Sequence, residues 1–264
     1  LPPLAAAAEQ VYLFQRTPSA IGERGNRPTP PEFAEALTPG WQQARMDNFQ
    51  AVMLGKTVDE DLTDDGWTHH YAKVQHPPRR KDMTLEEYLR GGEEVDFAVM
   101  EEHRRRVEEL VADPGAAEVL KPWYRYLCKR PCFHDEYLQA YNVPTCHLVD
   151  TDGKGVERID ETGVWVGGEH YDLDLLIFAS GFEVGTEYSR RSGYETVGRD
   201  GESLSDHWAD GMQTMHGMHV HGFPNLFILG MTQAGNLISN ITSNLVEAGT
   251  SVAAVVAHAE EVGA

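Results

Sequence analysis

The chain has 264 residues, of which 42 are Asp or Glu and 22 are Lys or Arg, so its formal net charge is −20. This acidic balance argues against nucleic acid as a partner, because phosphate backbones are bound by clustered Lys and Arg, and it disfavours an anionic membrane surface. No apolar run approaches the ~20 residues of a transmembrane helix. Three cysteines are too few for a disulfide framework and fit a reducing compartment, from which we expect a cytoplasmic protein.

The first 40 residues predict a helix, a strand and a loop. Residues 1–10 are rich in alanine and predict the end of a helix, and Val11–Phe14 is a β-branched and aromatic run that predicts a buried strand. Residues 22–40 are rich in Gly, Pro, Asn and Arg and predict a loop. A helix followed by a strand is typical of half of a βαβ unit, so the pattern favours an α/β fold.

The next stretch, residues 41–112, has a helical character. Its apolar residues near Trp41 recur at helical spacing, and Thr84 and Glu87 form the pattern of a capping box that begins a helix. Charges alternate at helical spacing from Asp96 to Ala112. We interpret the stretch as a helical insert on an α/β scaffold, with its charges on a solvated face.

The second half of the chain predicts further strands and a final helix. Residues 145–149 predict a strand, and residues 163–166 and 171–179 flank a Gly-Gly pair that is typical of a hairpin. The second hairpin strand is uniformly apolar at its end, as expected when both faces are covered. Residues 223–230 predict another buried strand, and residues 237–259 a helix.

Motifs for nucleotide binding by glycine-rich turns and for metal binding are incomplete in this sequence. It contains no G-x-G-x-x-G, no G-x-S-x-G and no P-loop lysine motif. Cys128, Cys132 and His134 lack the second paired element of a zinc site. The histidines between Met215 and His221 have no carboxylate at a set spacing, so we interpret that stretch as a packed loop and expect no metal.

Arg16 and Thr17 directly follow the first predicted strand. In dinucleotide-binding folds the residue at such a strand end faces the adenosine ribose, and an arginine there receives the 2′-phosphate of NADP. The planar guanidinium suits a phosphate because it can donate two parallel hydrogen bonds. A surface arginine at a strand end explains the same pattern, and the residues alone leave both interpretations open.

Residues 121–137 alternate basic residues with aromatics and prolines, in a chain that is otherwise acidic. Locally concentrated positive charge favours an anionic ligand. The alternative is a structural loop whose cations pair with the acidic helical insert.

Five motifs occur along the chain in a fixed order. They are Phe14-Gln15-Arg16-Thr17-Pro18-Ser19, Asn26-Arg27-Pro28-Thr29, Cys128-Lys129-Arg130-Pro131-Cys132-Phe133-His134-Asp135-Glu136-Tyr137, Asp174-Leu175-Leu176-Ile177-Phe178-Ala179-Ser180-Gly181-Phe182 and His221-Gly222-Phe223-Pro224-Asn225-Leu226-Phe227. Taken together and in this order, they resemble the C-terminal half of a Baeyer–Villiger monooxygenase. The resemblance covers nearly the whole chain. It implies an FAD- and NADPH-dependent enzyme that converts small-molecule ketones to esters or lactones with O2.

The resemblance also implies the domain organisation. We expect a partial two-dinucleotide-binding-domain flavoprotein fold of the α/β class with a helical insert. Residues 1–170 would form an NADP-binding domain that lacks its first βα unit, with the insert at about residues 38–118. Residues 171–264 would form the C-terminal part of the FAD-binding domain.

Site residues follow from the same motif positions. By resemblance, Arg16, Thr17 and Lys129 bind the 2′-phosphate of NADP, and Arg130 is the catalytic arginine at the flavin face, where it stabilises a negatively charged oxygen adduct. Ala179, Ser180 and Gly181 match a linker between the two domains, with serine in place of the usual threonine. Met231, Thr232 and Gln233 match a segment that approaches the isoalloxazine ring.

The family's FAD glycine motif, its diagnostic fingerprint and its NADP glycine turn would all lie upstream of Leu1. We therefore expect that residues 1–264 alone do not bind FAD tightly and are inactive. Two alternatives stay open: another flavin-dependent monooxygenase, of the N-hydroxylating type, and a non-catalytic remnant of the fold. The sequence does not indicate which ketone is the substrate or what the oligomeric state is.

Overall fold

The computed structural model describes residues 1–181, 186–230 and 241–263. The chain divides into two compact units, Leu1–Ile177 and Phe178–Ala264. Within the described residues, no helix combines the length and the apolar character that crossing a membrane requires.

The first unit is built on two parallel strands. Helix α1 (Pro2–Ala7) leads into strand β1 (Val11–Gln15), which pairs in parallel with strand β4 (Cys146–Asp150) so that Gln15 lies opposite Asp150. The two strands therefore end at the same edge. Their core contains the buried residues Ala5, Ile21, Val107, Val111, Ala117, Leu120, Leu138, Tyr141 and Cys146. The helix and both strands predicted here are confirmed.

Helices dominate the chain between β1 and β4. They are α2 (Pro31–Glu35), α3 (Trp41–Met53), a π-helical turn (Trp67–Tyr71), α4 (Ala72–Gln75), α5 (Leu85–Leu110) and α6 (Pro114–Leu120). The capping box is confirmed, since Thr84 accepts from the Glu87 amide and the Glu87 side chain accepts from the Thr84 amide at 2.8 Å. The loop predicted for residues 22–40 is wrong in part, because α2 lies within it and begins with a proline, whose fixed φ suits a first helical position.

A short parallel strand pair joins two segments that are distant in the chain. Strand β2 (Ile21–Gly22) pairs with strand β3 (Cys132–Phe133). The ring of Phe133 lies so close to Gly22 and Gly66 that a Cβ atom would come within 2.8 Å of it at Gly22 and 2.2 Å at Gly66. Glycine at both positions is therefore a requirement of this packing.

A three-stranded antiparallel sheet completes the first unit. It contains β5 (Arg158–Ile159), β6 (Gly163–Val166) and β7 (Glu169–Asp172), and the last two form the predicted hairpin around the Gly-Gly pair. The Trp165 indole donates to Asp160 at 2.6 Å across the sheet. This bond is the main reason that the pKa of Asp160 is held well below its ordinary value.

The second hairpin strand is shorter than predicted. The sequence predicts a buried strand over residues 171–179, but β7 ends at Asp172. Leu175, Ile177 and Phe178 are 71, 58 and 73% exposed. An apolar run forms a covered strand only where neighbouring strands pair with it, and none of the described strands pairs with these residues.

Among its described residues, the second unit contains two short α-helices, one α-helix of 22 residues and a small core. It contains α7 (Tyr188–Ser192), α8 (Leu204–His207) and α9 (Ile241–Val262), and its buried core is Leu204, Val220 and Phe223. The strand predicted for residues 223–230 is wrong, because only an isolated bridge between His219 and Phe227 forms there. The predicted final helix is confirmed from Ile241 onwards, and residues 237–240 lie outside the described residues.

Candidate functional site

Arg16 and Thr17 lie at the edge where the two parallel strands end. The Gln15 carbonyl accepts from the Thr151 amide at 3.0 Å and from the Thr151 hydroxyl at 2.9 Å, which ties the end of β1 to the turn after β4. The stem of Arg16 lies against that turn, since a Cβ atom on Gly155 would be 3.3 Å from Arg16 Cδ. Ligands of open α/β sheets bind at this carboxyl edge of the strands.

Lys129, which follows the helical insert in the chain, lies at the same edge. Its Nζ donates to the Thr17 hydroxyl and, at 2.8 Å, to the Pro18 carbonyl, and it lies 4.8 Å from the centre of the Tyr124 ring. Burial lowers the pKa of Lys129, and the nearby positive charge of Arg16 lowers it further. Two cations held near each other repel, so an anion between them would be stabilised.

Arg130 follows Lys129 but points elsewhere. The backbone of Lys129 is extended, with φ −134° and ψ 162°, and consecutive side chains of an extended chain point to opposite sides. The guanidinium of Arg130 lies over the ring of Trp67, 4.9 Å from its centre, on the π-helical turn. Lys129 thus supplies a cation to the edge where β1 and β4 end, and Arg130 supplies one to the π-helical turn.

The cations of residues 121–137 fall into two groups. Lys121 pairs with Glu108 at 2.6 Å, and Arg125 pairs with Glu93. Among the described residues, none of Arg16, Lys129 and Arg130 has a carboxylate oxygen within 4.0 Å. Pairing with the acidic insert, the alternative that the sequence leaves open, therefore explains Lys121 and Arg125 but not the two cations that follow them.

The Asn-Arg-Pro-Thr motif is attached to the same segment. The carboxylate of Asp135 accepts from the backbone amides of Arg24, Gly25 and Asn26 at 2.8, 2.9 and 3.0 Å. These bonds lower the pKa of Asp135, with the Asn26 amide as the largest cause. Motifs that are more than 100 residues apart in the chain thus form one structure.

The remaining predicted site residues lie in the second unit. Ala179, Ser180 and Gly181 are exposed, and Gly181 has a φ of +87°, which favours glycine. Met231, Thr232 and Gln233 lie outside the described residues.

One candidate metal group occurs among the described residues, at a place that the sequence analysis did not select. Asp61, Asp64 and His69 have ligand atoms within 4.8 Å of one another, but Asp64 and His69 are exposed and hydrogen-bond to each other at 2.7 Å. Exposed acidic groups of this kind are common without a metal.

Sequence reasoning missed the aromatic partners of the two cations. The alternation of basic and aromatic residues in residues 121–137 is a signal that could have selected Tyr124. Trp67 carries no such signal, because it lies 63 positions before Arg130 and contacts it only through the folded insert.

The chain is similar in sequence to curated proteins. The pentalenolactone D synthase of Streptomyces exfoliatus is 51% identical over 267 residues, which are 99% of this chain and 46% of that protein. The Baeyer-Villiger monooxygenase ATR8 of Stachybotrys chlorohalonatus is 47% identical over 240 residues, or 90% of this chain and 38% of that protein. The resemblance to the Baeyer–Villiger monooxygenases is confirmed. No family model matches the chain.

Solved structures of two monooxygenases share the fold. The polycyclic ketone monooxygenase of the thermophilic fungus Thermothelomyces thermophila matches with a TM-score of 0.81 and 37% identity, over 94% of this chain and 42% of that one. A steroid monooxygenase bound to NADP matches with a TM-score of 0.77 and 24% identity, which concerns the fold alone. This chain spans less than half of the length of the two curated relatives described above.

Proposed function

We propose that this chain is part of an FAD- and NADPH-dependent Baeyer–Villiger monooxygenase. The reaction combines a ketone, O2, NADPH and a proton to give an ester or lactone, NADP+ and water. The observation that carries the proposal is the arrangement of three cations without carboxylate partners among the described residues. Arg16 and Lys129 lie at the edge where β1 and β4 end, and Arg130 lies over Trp67.

The domain organisation is part of the proposal. Residues 1–170 are assigned to an NADP-binding domain without its first βα unit, with the insert at about residues 38–118, and residues 171–264 to the C-terminal part of the FAD-binding domain. The parallel pairing of β1 with β4 and the helices between them support the first assignment. The compact unit Phe178–Ala264 supports the second.

Arg16, Thr17 and Lys129 fit the 2′-phosphate of NADPH. The planar fork of Arg16 can donate two parallel hydrogen bonds to phosphate oxygens, whereas Lys129 acts as a compact charge. An ammonium has three protons, and two of those on Lys129 are used by the Thr17 hydroxyl and the Pro18 carbonyl. The third remains for an oxygen of the phosphate.

Arg130 is assigned the catalytic role. Bound FAD would supply the activation of O2 with electrons from NADPH. A guanidinium keeps its proton near neutral pH, so Arg130 acts as a permanent positive charge that stabilises negative charge formed beside it. Ala179, Ser180, Gly181, Met231, Thr232 and Gln233 are proposed to contact the cofactors. A reducing, cytoplasmic location belongs to the proposal and is supported by three free thiols.

The full-length protein tests this function directly. We expect it to convert a ketone, chosen from a panel of monocyclic to polycyclic ketones, to an ester or lactone that carries one labelled atom from 18O2. Arg130→Met should abolish ester formation while NADPH oxidation stays measurable. Arg125→Met is the matched control, because Arg125 lies in the same segment but pairs with Glu93, and it should leave the ester yield unchanged.

Two results would overturn the assignment. A wild-type protein that inserts no labelled oxygen into any ketone of the panel would exclude the activity for that panel's substrate class. An Arg130→Met variant with an undiminished ester yield would remove Arg130 from the catalytic role.

A further inference from the structure

We propose that Tyr124 is a specificity-determining residue, which positions the ammonium of Lys129 for the 2′-phosphate and so sets the preference for NADP over NAD. The inference deepens the proposed function and rests on its assignment of Arg16, Thr17 and Lys129 to that phosphate.

Tyr124 makes two contacts that place it between the loop after β1 and Lys129. Its half-buried ring lies 4.8 Å from the Nζ of Lys129, and its hydroxyl accepts from the buried amide of Ala20 at 2.9 Å. Ala20 closes the same short loop that supplies the other two contacts of the ammonium, Thr17 and Pro18. The ring and the loop are therefore fixed relative to each other by one hydrogen bond.

These contacts preorganise a side chain that is otherwise difficult to order. A lysine stem has four rotatable bonds, and binding that must first order it loses affinity. The face of an aromatic ring attracts an ammonium, more strongly where water is partly excluded. The attraction of the ring also offsets part of the repulsion between Lys129 and Arg16.

Tyr124 acts here as a ring and a hydrogen-bond acceptor and not as an acid. Burial raises the pKa of its hydroxyl, so the phenol stays neutral at physiological pH. NADP and NAD differ only in the 2′-phosphate. Loss of the ring should therefore weaken the binding of NADP alone, whereas general damage to the fold would weaken the binding of both nucleotides.

The test compares the dissociation constants of NADP+ and NAD+ for the full-length protein by isothermal titration calorimetry. Tyr124→Leu should weaken NADP+ binding by roughly 3- to 30-fold, the range of a single cation–π contact, and should leave NAD+ binding unchanged. Tyr124→Phe keeps the ring and should keep most of the preference. Tyr88→Leu is the matched control, because the ring of Tyr88 lies under Arg79 on the insert, and it should change neither constant.

Each outcome distinguishes the two proposals. A wild-type protein without preference for NADP+ contradicts the proposed nucleotide site itself. A wild-type preference that survives Tyr124→Leu, or an equal loss for both nucleotides, overturns the role of Tyr124 alone. If Tyr124→Leu does not fold, Tyr124→Met takes its place, since the flexible methionine can fill the space of the ring, and the same loss is expected.

Discussion

Two buried tyrosines of the first unit differ in the pairing of their hydroxyls, and this difference predicts opposite effects of the same substitution. Tyr126 is fully buried, and its hydroxyl has no hydrogen-bond partner among the described residues. Tyr141 is 8% exposed, and its hydroxyl hydrogen-bonds to that of Tyr137 at 2.8 Å. Replacement of each by phenylalanine removes only the hydroxyl.

The magnitude follows from the cost of an unpaired buried group. A buried polar group without a partner costs about 1–3 kcal/mol, and a hydrogen bond contributes about 1 kcal/mol net. Phenylalanine at position 126 would keep the stacking on His103, whose ring lies 5.3 Å away at an interplanar angle of 11°. We expect Tyr126→Phe to raise the free energy of unfolding by about 1 kcal/mol, and Tyr141→Phe to lower it by about 1 kcal/mol.

Urea unfolding followed by circular dichroism measures both effects against the wild-type protein. The slope of the unfolding free energy with urea should stay constant, because neither substitution changes the surface exposed on unfolding. A Tyr126→Phe variant destabilised by more than about 1 kcal/mol would refute the reasoning, because its hydroxyl must then have a partner.

Three further predictions concern stability. Burial lowers the pKa of His103 to about 4, so the unfolded chain binds more protons than the folded chain below pH ~6.5. The free energy of unfolding should therefore fall by up to roughly 3 kcal/mol as the pH is lowered from 6.5 to 4. His103→Leu should remove this part of the pH dependence in urea titrations. A Cβ atom on Gly163 would lie 1.8 Å from the Tyr171 carbonyl oxygen. Gly163→Ala should therefore lower the free energy of unfolding by ~1–3 kcal/mol or more, which a lower melting temperature would show. Thr84→Ala removes the capping box of α5 and should lower the unfolding free energy by about 1 kcal/mol.

Elements whose cause is local were predictable from the sequence. The capping box at Thr84 and the β-branched run that forms β1 each act within a few residues, and both structures form where they are expected. The strands predicted over residues 171–179 and 223–230 depend on partners. Apolar character alone does not supply the hydrogen-bonding neighbours of a strand, so the first prediction fails beyond Asp172 and the second was wrong.

In the candidate site, too, features with a local cause were predictable and contacts between distant parts of the chain were not. Arg16 and Thr17 were predictable because they directly follow a strand, and the ends of parallel strands meet at one edge. The contact of Thr17 with Lys129 depends on how the chain returns after more than 100 residues, and only the family resemblance indicated that these residues share a site. The placement of Arg130 over Trp67 depends on the packing of the insert, which periodicity does not predict.

The opposite directions of Lys129 and Arg130 have a cause in the sequence itself. Arg130 precedes Pro131, and a residue before proline is restricted to extended backbone by steric contact with the proline ring. Strand β3 begins directly after Pro131 and pairs with β2, which holds that extended geometry in place. Because side chains alternate along such a segment, the insertion of one residue between Lys129 and Pro131 would turn Lys129 to the side now occupied by Arg130. The dipeptide and the proline that follows it therefore act as one unit, in which the order of the residues decides which cation reaches the strand edge.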